Sequence, residues 1–203
     1  VRSSHAHGII RGIDTSAARA RPGVVAVLTA ADVPGERCQG QIIHDWPQLV
    51  AEGEITRYTG DVLAIVAADT RTAAREAAAL VTIQYEVLEP IACTEAALAE
   101  GAPSIHSGGN LFSRSEVKRG DVDAALATAA HVVTETFTTQ RIEHAFLEPE
   151  ACLAAPTPDG GVHIFTQGQG IWDDRRQVSS LLGLPEDKVR ATLVSSGGGF
   201  GGK

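Results

Sequence analysis

The 203-residue sequence predicts an α+β chain built in two consecutive parts. Three observations carry that expectation. The first hundred residues alternate β-branched runs with short alanine-rich runs. Residues 101–110 are rich in glycine and bracketed by turn formers. The second half brings strands of mixed polarity, one amphipathic helix and a closing run of glycines. The expected division is residues 1–100, a linker over 101–110, and residues 111–203.

In chain order, Ile9, Ile10 and Ile13 suggest a strand ending near Asp14, and residues 15–20 a short helix stopped by Pro22 and Gly23. Residues 24–28 read as a β-branched strand and 34–56 as loop, punctuated by Gly35, Gly40, Pro47 and Gly53. A β-α-β run follows. It has an unbroken apolar strand over 62–67, suited to burial on both faces, and a helix over 71–80 capped by Asp69 or Thr70. Its second strand covers 81–87, with Val81, Ile83 and Tyr85 on one face. Residues 94–100 make an exit helix. Beyond the linker, 121–130 reads as a helix and 132–139 as a half-exposed antiparallel strand. Strands over 151–155 and 162–167 flank a Pro158-Asp159-Gly160 turn. Residues 171–182 form an amphipathic helix ended by Gly183 and Pro185, and 189–194 is a last strand in an antiparallel-looking unit, emptying into the glycines.

Composition narrows the function classes. A net charge of −8 argues against a nucleic-acid partner, because such binding needs a positive surface that releases counterions. No stretch approaches 18 consecutive apolar residues and no charged segment precedes an apolar run, so neither a membrane span nor an uncleaved signal peptide is expected. Cys38, Cys93 and Cys152 lie far apart without a CxxC pair, which fits neither a thiolate metal site nor a disulfide framework and points to a reducing, cytoplasmic compartment. The chain contains no Met, opens in mid-pattern and stops after a glycine run, so both ends look cut.

The closing run Ser195-Ser196-Gly197-Gly198-Gly199-Phe200-Gly201-Gly202-Lys203 carries most of the chemistry. Backbone N–H groups without a Cβ in the way can wrap closely around an anionic or polar cofactor. The bland alternative is a flexible connector. Gly197-x-x-x-x-Gly202-Lys203 also satisfies the first part of a phosphate-binding P-loop, which would make the chain a nucleotide-binding protein. Its position, late and after a strand that looks antiparallel, argues against that reading. Between Gln140 and Glu150, three carboxylates and His144 could bind metal or do acid–base work; Glu143 and His144 would face opposite ways on a strand, which fits no compact metal motif, and a polar turn between strands is the favoured reading. Gln167 stands at a strand's end, an exposed amide with little packing that can donate to an oxo group or a pterin atom and can equally cap the next helix or face water. His5 and His7 share one strand face, a candidate metal pair or a solvent-facing one.

Taken together, these segments resemble the molybdenum-binding large subunit of the xanthine dehydrogenase/aldehyde oxidase family. Val1-Arg2-Ser3-Ser4-His5-Ala6-His7, the Pro22-Gly23-Val24 to Pro34-Gly35 run and residues 60–67 look like that family's α/β hammerhead domain. Residues 140–150, Thr166-Gln167, Leu182-Gly183-Leu184 and 197–203 look like the start of its molybdenum-cofactor domain, and Glu148-Pro149-Glu150 with Gly168–Trp172 is closest to the selenium-dependent xanthine dehydrogenase branch. The resemblance implies a truncated hammerhead domain over 1–100 and a truncated cofactor domain over 111–203. It implies a molybdopterin-type molybdenum cofactor contacted by Gln167, Phe200, Gly201 and Gly202, with iron–sulfur clusters and FAD on other domains or subunits and a homo-oligomeric full-length enzyme. The implied reaction is hydroxylation of a purine, another N-heterocycle or an aldehyde with oxygen from water. The family's base falls beyond Lys203, so no catalytic residue is expected in this segment, which alone would be inactive. A non-catalytic assembly domain is the remaining alternative.

Overall fold

A computed structural model describes residues 1–202; Lys203 lies outside the described residues. In chain order the elements are β1 (Gly8–Asp14), α1 (Ser16–Arg19), β2 (Val24–Leu28), β3 (Cys38–Gln39), β4 (Trp46–Pro47), β5 (Ile55–Thr56), β6 (Ile65–Ala68), α2 (Arg71–Ala78), β7 (Thr82–Val87), α3 (Thr94–Leu98), α4 (Val122–Thr128), β8 (Cys152–Pro156), β9 (Val162–Thr166), α5 (Ile171–Leu182) and β10 (Val189–Leu193). They fall into two compact units, one made of Val1–Pro90 with the chain from Phe146 onward, the other of Ile91–Ala145.

In the larger unit, β1 pairs antiparallel with both β5 and β7, and β2 pairs antiparallel with β6. Small side chains let α1 and α2 lie close on the β2–β6 pair: Ala18, Val27, Ala64 and Ala77 are all fully buried together. Ile10, Val50 and Leu63 form a second buried cluster against Ile13, Ile83 and Tyr85. Thr70 caps α2, its hydroxyl accepting from Ala73 N at 3.1 Å, which resolves the choice between Asp69 and Thr70. The β-α-β order over 62–87 is present, yet β6 and β7 join different sheets, each antiparallel to another strand.

The parallel crossover lies in the second half instead. β8 and β9 form an antiparallel hairpin, and α5 then carries the chain over so that β10 runs parallel to β9. The expectation of an antiparallel unit here is corrected: alternation of side chains reports which face is buried, and it is the same for both strand directions. Gly183, at φ 63°, ends α5 in the left-handed region, with Leu184 N donating to Ser179 O at 3.0 Å. Two further carbonyls of that last turn are taken by the loop after β2: Gly35 N donates to Leu181 O at 3.0 Å and Glu36 N to Ser180 O at 2.9 Å. The Gln39 amide adds a bond to Ser180 Oγ at 3.2 Å. A loop of the first half therefore caps the helix of the second.

The hairpin turn is tied to the segment before β10. Asp159 accepts from Thr157 Oγ1 at 2.5 Å and from Lys188 Nζ at 2.9 Å. The Thr157 hydroxyl and then the Lys188 ammonium hold its carboxyl down at about 2, against an ordinary value of 3.8. A depressed carboxylate stabilises the fold above its unfolded value and loses that contribution as pH falls through its folded one. Chemical denaturation of the parent and of Asp159→Asn should therefore show a constant stability gap at neutral pH that closes between about pH 4 and 2. A gap that persists unchanged through this window would mean the contacts are not electrostatic.

The smaller unit holds α3 and α4, the latter capped by Asp121 Oδ1 accepting from Ala124 N at 3.0 Å. Asn110 closes the stretch before it, donating to Ala97 O and Pro103 O, both at 2.9 Å, while accepting from Ile105 N. The alternation over 132–139 predicts a strand, and the structure has none there. A strand exists only as a member of a ladder, and no described residue pairs with this segment, so Val133 and Phe137 stand 81 % and 88 % exposed. His5 and His7 also precede β1 rather than sharing a strand face. His5 packs edge-on to Tyr85, and His7 Nδ1 meets Glu89 O at 2.6 Å.

Candidate functional site at the carboxyl ends of β9 and β10

Two parallel strands joined by a helix leave a crevice outside their carboxyl ends, where the backbone stops pairing and loops diverge. Gln167 follows β9 at that end, and Ser195 opens the glycine run after β10. The Gln167 side chain is only 6 % exposed, which corrects the expectation of an exposed amide with little packing. It is fully engaged. Oε1 accepts from Ala151 N at 2.8 Å, while Nε2 donates to Glu148 Oε1 at 2.6 Å and to Ser195 O at 3.1 Å. One amide thus joins the chain before β8, the end of β9 and the start of the glycine loop.

The segment after Gln167 is shaped from below. Thr166 Oγ1 donates to Asp174 Oδ2 and accepts from Gly168 N, both at 3.0 Å. A Cβ on Gly168 would lie 2.3 Å from that same carboxylate oxygen, so glycine lets the Asp174 side chain keep its place beneath the loop. Asp173 and Asp174 occupy the first turn of α5, where the helix dipole favours negative charge.

The glycine loop then makes a tight turn. Gly202 N donates to Gly199 O at 2.7 Å, with Gly199 buried. Phe200 (φ 51°) and Gly201 (φ 86°) both adopt left-handed backbone at its corner. For phenylalanine that conformation is costly, on the order of 1 kcal/mol or more, and such strain gathers at ligand-holding loops. The Phe200 ring is 73 % exposed and folds back over Gly198, where a Cβ would lie 2.7 Å from it. Among the described residues, the backbone amides of 196–201 take no protein acceptor. Gly197 lies against Glu148, since a Cβ there would stand 2.4 Å from Glu148 Cβ.

The structure thus joins Gln167 to the root of the glycine loop, and sets Phe200, Gly201 and Gly202 on the turn at its far end. Among the described residues no hydrogen bond links those three to Gln167. Within the acidic stretch 140–150, Glu148 reaches the site; Glu143 and Glu150 are exposed. Thr166, Asp174 and Ser195 complete the arrangement, and of the three only Asp174 carried no mark in the sequence. No group of three or more His, Cys, Asp or Glu able to hold a metal ion occurs among the described residues.

A run of unpaired N–H donors at the mouth of a parallel strand pair suits an anionic or oxo-bearing group. Two family models match the chain in tandem: the aldehyde oxidase and xanthine dehydrogenase a/b hammerhead domain over residues 1–89, and the molybdopterin cofactor-binding domain over residues 105–203. The chain belongs to the aldehyde oxidase and xanthine dehydrogenase family. Among curated relatives it is 41 % identical, over 202 residues, to the nicotinate dehydrogenase large molybdopterin subunit of Eubacterium barkeri, and the match covers all of this chain and 47 % of that one. It is 36 % identical to the xanthine dehydrogenase molybdenum-binding subunit of Escherichia coli, a match over all of this chain and 28 % of that one. Among solved structures it resembles the aldehyde oxidoreductase of Desulfovibrio gigas, with a TM-score of 0.87 and 31 % identity over 98 % of this chain and 23 % of that one. Quinoline 2-oxidoreductase of Pseudomonas putida 86 gives a TM-score of 0.84, again at 31 % identity, over 98 % of this chain and 26 % of that one. The chain therefore spans about half the length of the first of these curated relatives and little more than a quarter of the second. The fold is that of a hammerhead domain followed by the start of a molybdopterin-binding domain. A P-loop is not favoured; the placement argument against it fails on the parallel β9–β10 pair, and it is the family match that decides. The lysine that motif needs, Lys203, lies outside the described residues.

Proposed function

We propose that this chain forms part of the cradle for a molybdopterin-type molybdenum cofactor, within a hydroxylase that oxidises a purine, another N-heterocycle or an aldehyde with water-derived oxygen. One observation carries it: the unpartnered backbone amides of 196–201, turned around Phe200 at the carboxyl ends of β9 and β10. The residues present fit such a group. Glycine at 197 and 198 lets backbone approach closely, and donors already fixed in place stabilise charge without reorganising.

Phe200 and Gly201 would hold the cofactor through main-chain donors, Gly202, whose own N–H closes the turn on Gly199 O, would shape the loop beside it, and Gln167 would orient it from the strand end. When bound, the cofactor supplies the redox and oxygen-transfer chemistry, and electrons leave through iron–sulfur and flavin groups of partner domains or subunits. The chain's own contribution is to bind, orient and keep water from the polar mouth. No residue of the chain is assigned as a base, so this part alone would be inactive. In this reading residues 1–100 are the hammerhead part, 101–110 the connection and 111–203 the start of the cofactor part. The full-length enzyme would be a cytoplasmic homo-oligomer. Three unpaired thiols, Cys38, Cys93 and Cys152, support a reducing compartment, and no described helix is long and apolar enough to cross a membrane.

The test is metal analysis of the complete protein, pterin fluorescence after oxidation, and turnover of N-heterocycles and aldehydes in isotopically heavy water. Stoichiometric molybdenum, a pterin and label in the product are expected. A complete protein that carries a nucleotide, or no molybdenum after expression with a full cofactor supply, would overturn it.

A further inference from the structure

We propose that Glu148 is the positioning residue of this site, fixing the orientation of the Gln167 amide and seating the glycine loop with the same side chain. The proposal rests on the reading of the loop as a cofactor cradle. Its observations are the three hydrogen bonds of Gln167 and the contact between Glu148 and Gly197.

An amide side chain has a donor end and an acceptor end of nearly the same shape, so its orientation follows from its partners alone. At Gln167 they decide it. Oε1 faces the Ala151 N–H, and Nε2 faces two oxygens, Glu148 Oε1 and Ser195 O. Reversing the amide would set N–H against N–H and oxygen against two oxygens, losing all three bonds. Two of the partners are backbone and survive a change of side chain, proline at 151 excepted. The third, and shortest at 2.6 Å, is a side chain and the sole carboxylate among them. Glu148 is therefore the part of the lock that the sequence can change.

Both Gln167 N–H groups are already in use. A bound acceptor gains one of them only by exchange. Ser195 O is backbone next to the strand end, where Val194 N is still held by Thr166 O at 2.9 Å. The Glu148 carboxylate is on a half-exposed side chain, so the exchange falls to it. Glu148 thus holds the amide in the donating orientation and yields the N–H to an arriving ligand. The root of the same side chain plays a second part: Gly197 packs on Glu148 so tightly that a Cβ would come 2.4 Å from Glu148 Cβ and 3.0 Å from its N. The same residue sets the height of the loop and the direction of the amide.

The experiment uses the complete protein, first shown to carry molybdenum; a parent without it fails the cradle reading and not this inference. Glu148→Gln keeps an acceptor oxygen at the same reach and removes the charge. Glu148→Ala removes the acceptor. Molybdenum content, thermal midpoint, the electron spin resonance signal of the half-reduced metal, and kcat against KM are read for each. Glu148→Ala should lower kcat by roughly 10–100-fold in the molybdenum-loaded fraction, as loss of a partner that orients a contacting residue commonly does. KM should change little, and the resonance signal should become heterogeneous as the amide samples both orientations. Glu148→Gln should recover most of that kcat and restore a single signal. If Glu148→Ala lowers only the thermal midpoint or the molybdenum content, with kcat per molybdenum and the signal unaltered, Glu148 is structural and the inference fails. Failure of Glu148→Gln to recover either property overturns it too.

Discussion

Gly35→Ala is expected to destabilise the fold strongly. A Cβ at that position would lie 2.0 Å from Ser180 O, 2.6 Å from Gly183 N and 2.9 Å from Leu181 O. All three are backbone atoms at the end of α5, and none can rotate away. The loop would have to lift off the helix end, breaking the Gly35 N and Glu36 N bonds to Leu181 O and Ser180 O. Net loss of two hydrogen bonds, together with carbonyls left without their partners, amounts to about 3 kcal/mol. For a chain of this size that corresponds to a fall in thermal midpoint of roughly 6–12 °C. Gly108→Ala is the control, since a Cβ there meets nothing within 4 Å; it should stay within about 0.5 kcal/mol of the parent. Equal midpoints for the two variants would show that the loop does not cap α5. The result matters beyond stability, because this contact fixes the helix that carries Asp173 and Asp174 beneath the candidate site.

What the sequence revealed and what it withheld divide along physical lines. The helix over 171–182 is legible to the residue, because its apolar stripe and the Gly183 and Pro185 stop are local signals. The strand over 24–28 is legible for the same reason, and the cap of α2 to within one residue, Asp69 or Thr70. Strand direction is not local: Val189, Ala191 and Leu193 alternate with Arg190 and Thr192 whether β10 runs with β9 or against it. Nor is the presence of a partner, which is why 132–139 reads as a strand and stands unpaired. At the site, the glycine run announces itself, since few other needs explain so many missing side chains. Glu148 does not. It shares its stretch with Glu143 and Glu150, and only the three-dimensional approach of Gln167 tells them apart. The burial of Gln167 was equally hidden, because a glutamine at a strand end looks the same whether its partners are water or protein.

Gly197→Ala should separate the cradle from the rest of the fold. The added methyl would stand 2.4 Å from Glu148 Cβ and 3.0 Å from Glu148 N, and Gly197 has no positive φ that would add backbone strain. The clash is therefore purely one of distance. Relief requires the loop to move outward by about 1 Å, carrying with it the amides of 198–201 proposed as cofactor donors, and a misplacement of that size commonly costs about 100-fold in rate. In the complete enzyme, molybdenum content and kcat should fall steeply. The thermal midpoint should move less than in Gly35→Ala, because the loop beyond Ser195 carries few of the fold's hydrogen bonds. Glu148→Gly removes the nearer of the two obstructing atoms. If Gly197 and Glu148 act on the loop through this contact, the double variant Glu148→Gly/Gly197→Ala should retain more molybdenum than the product of the two single losses predicts, the signature of residues that share a contact. Losses that simply multiply would place the effect of Gly197 elsewhere, and with it the claim that Glu148 sets the height of the glycine loop.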